Sequence, residues 1–355
     1  MLAHRILFLA ALAAGLPALA ACGSPAVEET GPGPLPTPQP SPVPPNAVVG
    51  HLGTVEHLTA RDGYLYWAEL TSMTQQPWSI RRVAETGGTP ATIVAATEEV
   101  NGLAVDATRV YWTGGYEGNK LLAASSDGHD PSAAPTVIAF PLSEPTSVVV
   151  DGPDAYVVDS GAVMRVSLAD GTTSVAILGD TGYFSVAPVA PGGDVVAVTH
   201  VAACSGGATP CFTTMVERAS STPVAVPGGS PAPSTQIYGS NDAVDGLALD
   251  GDGVYLAEKT SGDHGWDHIV KIPLTGSGGP SEVLPAGSNT VEHLVAAAGL
   301  LYWYTGVGSV VTMPAAGGTP LMISNDTVTA LVADGSHVFG LTTLADGTGA
   351  ILREN

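Results

Sequence analysis

A segment of about 45 residues recurs seven times between Val55 and Val328. Each copy starts with a short apolar stretch such as 103–105, turns, and continues into a stretch such as Val110-Tyr111-Trp112. Short apolar and aromatic stretches separated by turn residues are typical of β-strands. The copies start at Val55, Val100, Pro145, Phe184, Val244, Val291 and Val328. This period and strand content predict an all-β fold, a β-propeller with seven four-stranded blades.

The two ends of the repeat region predict how the ring closes. The seventh copy stops after Ala350-Ile351-Leu352 and lacks an outer strand, and residues 47–52 precede the first copy. We therefore expect residues 47–52 to supply the missing strand, which removes exposed sheet edges. A count of six blades stays open as the alternative, because the copy at Phe184 is weak and the step to the next one is about 60 residues.

The first 22 residues form an export leader. His4 and Arg5 precede an apolar run from Ile6 to Gly15, which is too short to span a bilayer, and Leu19-Ala20-Ala21-Cys22 follows. This tetrapeptide resembles the bacterial lipobox. The resemblance implies cleavage before Cys22 and its lipidation with acyl chains of the palmitate type. Several chains would anchor the protein stably to a membrane.

Three segments follow from this organisation: a lipoprotein signal peptide at 1–21, a lipidated cysteine with a tether at 22–45, and the propeller at 46–355. The tether is rich in proline, which favours an extended polyproline II chain. Gly and Ser follow Cys22. By resemblance to enterobacterial lipoproteins, this implies export to the cell envelope and placement at the outer membrane, on its periplasmic or its surface face.

The composition excludes some partners. The chain has 11 basic and 33 acidic residues and a net charge of −22. Nucleic-acid binding requires clustered Lys and Arg, so we expect no nucleic-acid partner. The high content of Gly and Pro, 44 and 29 residues, argues against a helical bundle. We expect a monomer.

The aromatic strands carry a family resemblance. The segments 65–68, 110–113 and 301–304 (Leu-Tyr-Trp-Ala, Val-Tyr-Trp-Thr and Leu-Tyr-Trp-Tyr) resemble the Tyr-Trp-Thr-Asp repeats of receptor-type propellers. The whole of 46–355 resembles bacterial lipoprotein propellers with such repeats. Glu69, Gly114 and Thr305 replace the aspartate of the motif, and the receptor family usually has six blades. Receptor-like ligand binding is therefore not implied.

Two further cysteines lie in one loop of the irregular fourth unit. Cys204 and Cys211 are separated by six residues. In an oxidising compartment we expect a disulfide between them. Reactive or metal-bound thiols are the alternative, but two thiols alone do not complete a zinc site.

One candidate site consists of the residues that open the inner strands. In a ring these positions converge on one mouth of the central channel. The candidates are Glu56, His57, Asn101, Asp245, Glu292 and His293. His and Glu gathered there could bind a metal or act as base and acid. The arrangement resembles, in architecture only, seven-bladed propeller lyases that use a channel-mouth histidine with a divalent cation. The simpler interpretation is that these polar strand starts are similar only because the blades are repeats of one another.

Loops between the second and third strands offer a second candidate site on the same face. An exposed aromatic rim there would suit a protein or glycan partner. The rim residues are Trp78, Tyr116 and Trp266. In the last of these loops, His264, Asp267 and His268 could hold a transition metal. A solvated polar loop with its tryptophan packed inward is the simpler alternative.

Two functions follow. The first is a non-enzymatic module, tethered to an envelope membrane through Cys22, that binds an envelope protein or glycan. The second is a metal-assisted lyase or hydrolase at the channel mouth that uses Glu56, His57, Glu292 and His293. The sequence contains no known catalytic motif, so we favour the first function, predict no obligatory cofactor, and keep a divalent cation as the alternative.

Overall fold

The computed structural model describes residues 40–70, 78–114, 119–178, 184–189, 194–202, 212–219, 234–240, 242–251, 253–259, 267–274, 278–287 and 290–354. Within these ranges, 28 strands form seven four-stranded antiparallel sheets, and there is no α-helix. Accordingly, the same ranges contain no helix long and apolar enough to cross a bilayer. The seven sheets are the blades of a β-propeller.

The blades follow the chain in order, from the inner strand to the outer strand. Blades 1 to 3 are β2 (Thr54–Arg61), β3 (Tyr64–Leu70), β4 (Trp78–Ala84), β5 (Ala91–Thr97); β6 (Val100–Val105), β7 (Arg109–Gly114), β8 (Lys120–Ser125), β9 (Thr136–Ala139); β10 (Pro145–Asp151), β11 (Asp154–Asp159), β12 (Ala162–Ser167) and β13 (Thr173–Leu178). Blades 4 and 5 are β14 (Phe184–Pro188), β15 (Val195–Ala202), β16 (Phe212–Ala219), β17 (Thr235–Ser240); β18 (Ala243–Leu249), β19 (Gly253–Lys259), β20 (Asp267–Pro273) and β21 (Ser281–Leu284). Blades 6 and 7 are β22 (Glu292–Ala297), β23 (Leu300–Tyr304), β24 (Val310–Pro314), β25 (Leu321–Ser324); β26 (Val328–Ala333), β27 (Val338–Thr343), β28 (Gly349–Arg353) and β1 (Ala47–Leu52).

The ring closes with a strand from each end of the propeller region. β1 pairs antiparallel with β28, with Ala47 opposite Leu352 and Leu52 opposite Gly349. Leu52 is 3% exposed and packs in one apolar cluster with Trp67 of blade 1 and Phe339 of blade 7. The prediction of seven blades closed by residues 47–52 is confirmed, and the six-blade alternative is excluded.

The hydrophobic core lies between blades. Trp67, Trp112 and Trp303 are fully buried, and each occupies the second strand of its blade. Each packs against the preceding blade: Trp112, for example, shares a cluster with Ile80 and Ile93 of blade 1. The aromatic strands therefore hold neighbouring sheets together.

The strand direction defines two faces. The upper face carries the starts of the inner strands and the connections between second and third strands, and the lower face carries the turns between first and second strands. One lower turn is Asp62-Gly63, where φ is 50° and 79°. This two-residue hairpin requires positive φ at both positions, which Asp and Gly accept more readily than most residues.

Candidate functional site

The inner strands begin with a recurring irregularity at the upper face. In six blades the pairing register between first and second strands shifts near the start of the inner strand. The shifts lie at 56–59, 100–102, 145–147, 244–246, 292–295 and 328–330. Such β-bulges bend a strand and redirect a side chain. Here they redirect side chains at the mouth of the channel that the inner strands line.

Two of these bulges place a histidine in the left-handed region. The φ values of His57 and His293 are 52° and 54°. A side chain in this region costs about 1–2 kcal/mol. Glycine takes the equivalent position in blades 2 and 5 because space is short there. A Cβ on Gly102 would lie 2.8 Å from Ser147 Cα, and one on Gly246 would lie 2.8 Å from Leu294 N.

A groove of about 440 Å³ opens on the upper face over blades 1 to 3. We call it the upper groove. Three glutamates from successive blades contribute to it, Glu56, Glu99 and Glu144, and none of its described lining residues is Lys or Arg. The full lining is Glu56, His57, Glu99, Val100, Asn101, Asn119, Glu144, Pro145 and Thr146.

The histidine of the upper groove adds little positive charge. Burial lowers the pKa of His57, while the Glu56 carboxylate, 3.8 Å from its Nε2, opposes this shift. His57 is therefore mostly neutral at pH 7, and the groove remains negative. Burial by the surrounding protein also lowers the pKa of His293. The side chain still contacts solvent, as expected for a residue at a channel mouth. Its ring packs against Tyr304 with the centroids 6.0 Å apart.

The four residues required by the lyase hypothesis do not converge. Glu56, His57, Glu292 and His293 all lie in the described part of the chain. No three of them bring ligand atoms within 4.8 Å of one another. The reason is topological: β2 and β22 belong to blades 1 and 6, and the inner strand of blade 7 lies between them.

The aromatic rim requires a correction. Trp78 is 8% exposed and packs with Ile80, Val100 and Leu122 between blades 1 and 2, so it offers no surface to a partner. As the first residue of β4, it points into the sheet-to-sheet interface. Other predicted positions lie outside the described residues, or their side chains do: Tyr116, Trp266, His264, Cys22, Cys204, Cys211 and the side chain of Asp245.

The predicted metal set His264, Asp267 and His268 also requires a correction. Asp267 and His268 are neighbours in β20, so their side chains point to opposite faces of the blade. The Asp267 carboxylate accepts the backbone N–H of Val291 in blade 6 at 2.6 Å. His268 instead faces Glu258, with its Nε2 3.3 Å from Glu258 Oε2. One ion cannot be bound by both residues of this pair.

His268 belongs to a different group, which we call the blade 5 cluster: Asp242, Glu258 and His268. Their ligand atoms all lie within 4.8 Å of one another. Tyr238 donates its hydroxyl hydrogen to Glu258 Oε2 at 3.1 Å. Burial raises the pKa of Glu258. The sequence did signal Glu258, because it follows Tyr255-Leu256-Ala257 at the motif position that Glu69 occupies in blade 1.

The sequence analysis missed two acids of the upper groove. Glu99 and Glu144 each come directly before an inner strand, at the position that threonine occupies before the strands of blades 6 and 7. An acidic residue in two adjacent repeats was the available signal, but only the curvature of the ring shows that both face one groove.

A second group of acids lies on the lower side between blades 1 and 7. The ligand atoms of Glu85, Asp334 and His337 are within 4.8 Å of one another. Asp334 Oδ1 already accepts the backbone N–H of His337 at 2.7 Å, as part of a turn. Burial, and then the neighbouring Asp334, raises the pKa of Glu85 to about 7.

Burial and the charge of Asp326 likewise raise the pKa of Glu354 to about 7.

This shift predicts a pH-dependent effect of Glu354→Gln on stability. A carboxyl with a raised folded-state pKa is stabilising when protonated, and that contribution is lost as the pH rises from about 4.5 to about 7. We expect the variant to gain about 1–3 kcal/mol relative to wild type between pH 5 and pH 8. Urea unfolding at both pH values measures the difference. Leu352→Val in β28, the strand that precedes Glu354, is the non-titrating control. Equal differences for Glu354→Gln at both pH values would contradict the assignment.

Comparison with known proteins provides information on the fold. No known family model matches the chain, and neither does any curated protein sequence. Solved structures do match. A puromycin-hydrolyzing peptidase of Mycobacterium tuberculosis superposes with a TM-score of 0.63 at 16% identity over 88% of this chain and 53% of the peptidase, so the chain spans about half of that protein's length. The likeness is one of fold.

Two other matches cover nearly whole propellers. The β-propeller domain of the Trilobed protease from Pyrococcus furiosus, described as having an open velcro topology, gives a TM-score of 0.63 at 8% identity, over 86% of this chain and 96% of that one. YCF48 bound to D1 peptide gives 0.57 at 12% identity, over 85% and 92%. At these identities the matches establish only the β-propeller fold. The activity and the partners of this chain have to be inferred from its own site.

Proposed function

We propose that this protein is a membrane-tethered envelope lipoprotein whose propeller binds a partner protein through the upper groove. The observation that carries the proposal is the lining of this groove by Glu56, Glu99 and Glu144, with no basic residue among the lining residues that the structure describes. Grouped carboxylates repel one another, and a cationic partner relieves that repulsion. The expected ligand is a segment rich in Lys or Arg.

A protein partner suits the groove better than a glycan. Glycan sites commonly present exposed aromatic faces, and Trp78, one of the three aromatic candidates, is buried. The groove instead offers carboxylates with the amides of Asn101 and Asn119, which suit ammonium, guanidinium and backbone groups. The peptide complex of YCF48 supports the proposal by showing that a propeller of similar fold binds a peptide.

The export leader supports the envelope part of this proposal. The lipobox-like Leu19-Ala20-Ala21-Cys22 implies an acylated amino terminus, and the proline-rich segment after it gives the propeller reach from the membrane. Mass spectrometry of the membrane-extracted protein should find acylated Cys22 as the first residue. A Cys22→Ala variant released into the soluble fraction would agree with this. An unmodified Cys22 would contradict the tether.

The groove is tested by neutralising two of its acids. We expect Glu99→Gln with Glu144→Gln to weaken capture of the partner at least about tenfold, since two charge-assisted contacts are lost. The measurement is quantitative crosslinking and pull-down of the tagged, lipidated protein from its own host. The same binding should fall steeply as salt is raised, because the groove is open to solvent.

The matched control removes the same charge elsewhere. Asp62 and Glu282 are exposed on the lower face and on an outer strand, and Asp62→Asn with Glu282→Gln changes the net charge equally. Capture should survive in this control. Equal loss in both double variants would show that overall charge, rather than the groove, controls binding. Full capture by the groove variant would refute the proposed site.

A further inference from the structure

We propose that the blade 5 cluster binds a divalent transition-metal cation, with Zn²⁺ as the best fit. The cluster lies on blade 5, away from the upper groove over blades 1 to 3, so this inference is independent of the proposed function. Its donors are the carboxylates of Asp242 and Glu258 and the imidazole of His268, with ligand atoms within 4.8 Å of one another.

In blades 1 and 3, the carboxylate at the position equivalent to Glu258 is fully engaged in hydrogen bonds or ion pairs. Glu69 is the last residue but one of the second strand of blade 1. Its Oε1 accepts the Gly53 N–H at 2.8 Å, and its Oε2 pairs with Arg81 at 2.9 Å. Asp159 ends the second strand of blade 3, where its Oδ1 accepts the Ser143 N–H at 2.8 Å. In both blades the acid clamps the connection that leads into an inner strand.

Glu258 occupies this position in blade 5, where no backbone N–H of the described residues donates to it. Its side chain is 1% exposed, and its Oε1 has no hydrogen-bond partner among the described residues. Its Oε2 contacts Tyr238 and His268 instead. Leaving a polar atom unpartnered in the interior costs about 1–3 kcal/mol, and more when it is charged. Ser240 also hydrogen-bonds this carboxylate. The buried Oε1 nevertheless has no partner in the described part of the chain, so it is available to a further ligand.

The second donor has the geometry that an ion requires. His268 is 12% exposed, and its Nε2 lies 3.3 Å from Glu258 Oε2. Two donors at zinc-ligand distances in a tetrahedral site are separated by about 3.3–3.4 Å. Two carboxylates with one imidazole neutralise a divalent cation, and the nitrogen donor favours zinc and other transition metals over Ca²⁺ and Mg²⁺, which prefer oxygen donors.

Metal titration of the chelator-treated mature protein tests the site. We expect one Zn²⁺ per chain by isothermal titration calorimetry, and visible d–d absorption when Co²⁺ is the probe. His268→Gln and Glu258→Gln should each weaken Zn²⁺ binding at least about 100-fold, since loss of an outer-sphere partner alone costs about 10–100-fold. His129→Gln, at an exposed position outside the cluster and the upper groove, should bind Zn²⁺ as wild type does.

Two results would overturn the site. Absence of saturable one-to-one Zn²⁺ binding in the wild-type protein would overturn it, and so would wild-type affinity in His268→Gln. If Glu258→Gln fails to fold by circular dichroism, His268→Gln still decides, because its side chain lies at the edge of the cluster.

Discussion

Removing β1 is expected to abolish the stable closed propeller. A chain that starts at Gly53 loses the strand 47–52, which completes blade 7 and contributes Leu52 to the cluster around Trp67 and Phe339. Loss of a single buried leucine side chain costs about 2–5 kcal/mol, and the strand's backbone pairing with β28 is lost as well. The sum is comparable with the whole stability of a typical domain, about 5–15 kcal/mol.

The measurement is cooperative unfolding in urea, combined with size-exclusion chromatography. Exposure of the β28 edge should also cause self-association, since an unpaired strand is a template for another chain. A chain that starts at Pro40 is the control, because it retains β1 and the contact of the Ser41 N–H with Asp346. If the two truncated chains unfold at the same urea concentration, β1 does not close the ring in solution.

Replacing a tryptophan between blades is expected to give the largest effect of any single substitution. Trp112 is fully buried among Ile80, Ile93 and Leu122, and Trp112→Ala should lower the free energy of unfolding by about 3–5 kcal/mol. The surrounding strands belong to two different sheets, so they cannot easily collapse into the space. Urea unfolding of the variant and the wild type measures the change.

A smaller substitution separates packing from hydrogen bonding. Trp112 Nε1 donates to Thr97 Oγ1 at 3.1 Å, whereas Trp303 Nε1 has no partner among the described residues. Trp112→Phe should therefore cost about 0.5–1.5 kcal/mol more than Trp303→Phe, although both side chains are equally buried. A double-mutant cycle of Trp112→Phe with Thr97→Val isolates this bond. Equal costs at the two tryptophans would show that the indole N–H contributes nothing.

Much of the fold could be predicted because a propeller is local. Each blade folds from consecutive strands, so a repeat of apolar strands, Asp-Gly turns and Val-Tyr-Trp stretches determines the architecture. The sequence also predicted how the ring closes. The last repeat lacks an outer strand after Leu352, an additional strand starts at Ala47, and pairing the two removes an exposed sheet edge. The weak unit at Phe184 also forms a blade, since strand patterning persists where the motif is lost.

The sites were predicted less well because they depend on contacts between blades. Sequence proximity suggested that Asp267 and His268 bind one ion, but adjacent strand residues face opposite sides. Sequence identity suggested that His57 and His293 act together, but equivalent residues of blades 1 and 6 remain apart around the ring. Trp78 was expected at a rim because the sequence analysis placed it in a loop between second and third strands, but its side chain fills the space between two sheets.

The sequence by itself determined the strands, the turns and the closure, and it favoured seven blades over six, because these features follow from periodicity and from short-range pairing. Only the tertiary structure decided which polar side chains share a surface. The ring brings Glu56, Glu99 and Glu144 to one groove from positions about 45 residues apart. It also turns Glu258 toward His268. The physical reason is that such contacts depend on the curvature of the ring and on the face to which each side chain points.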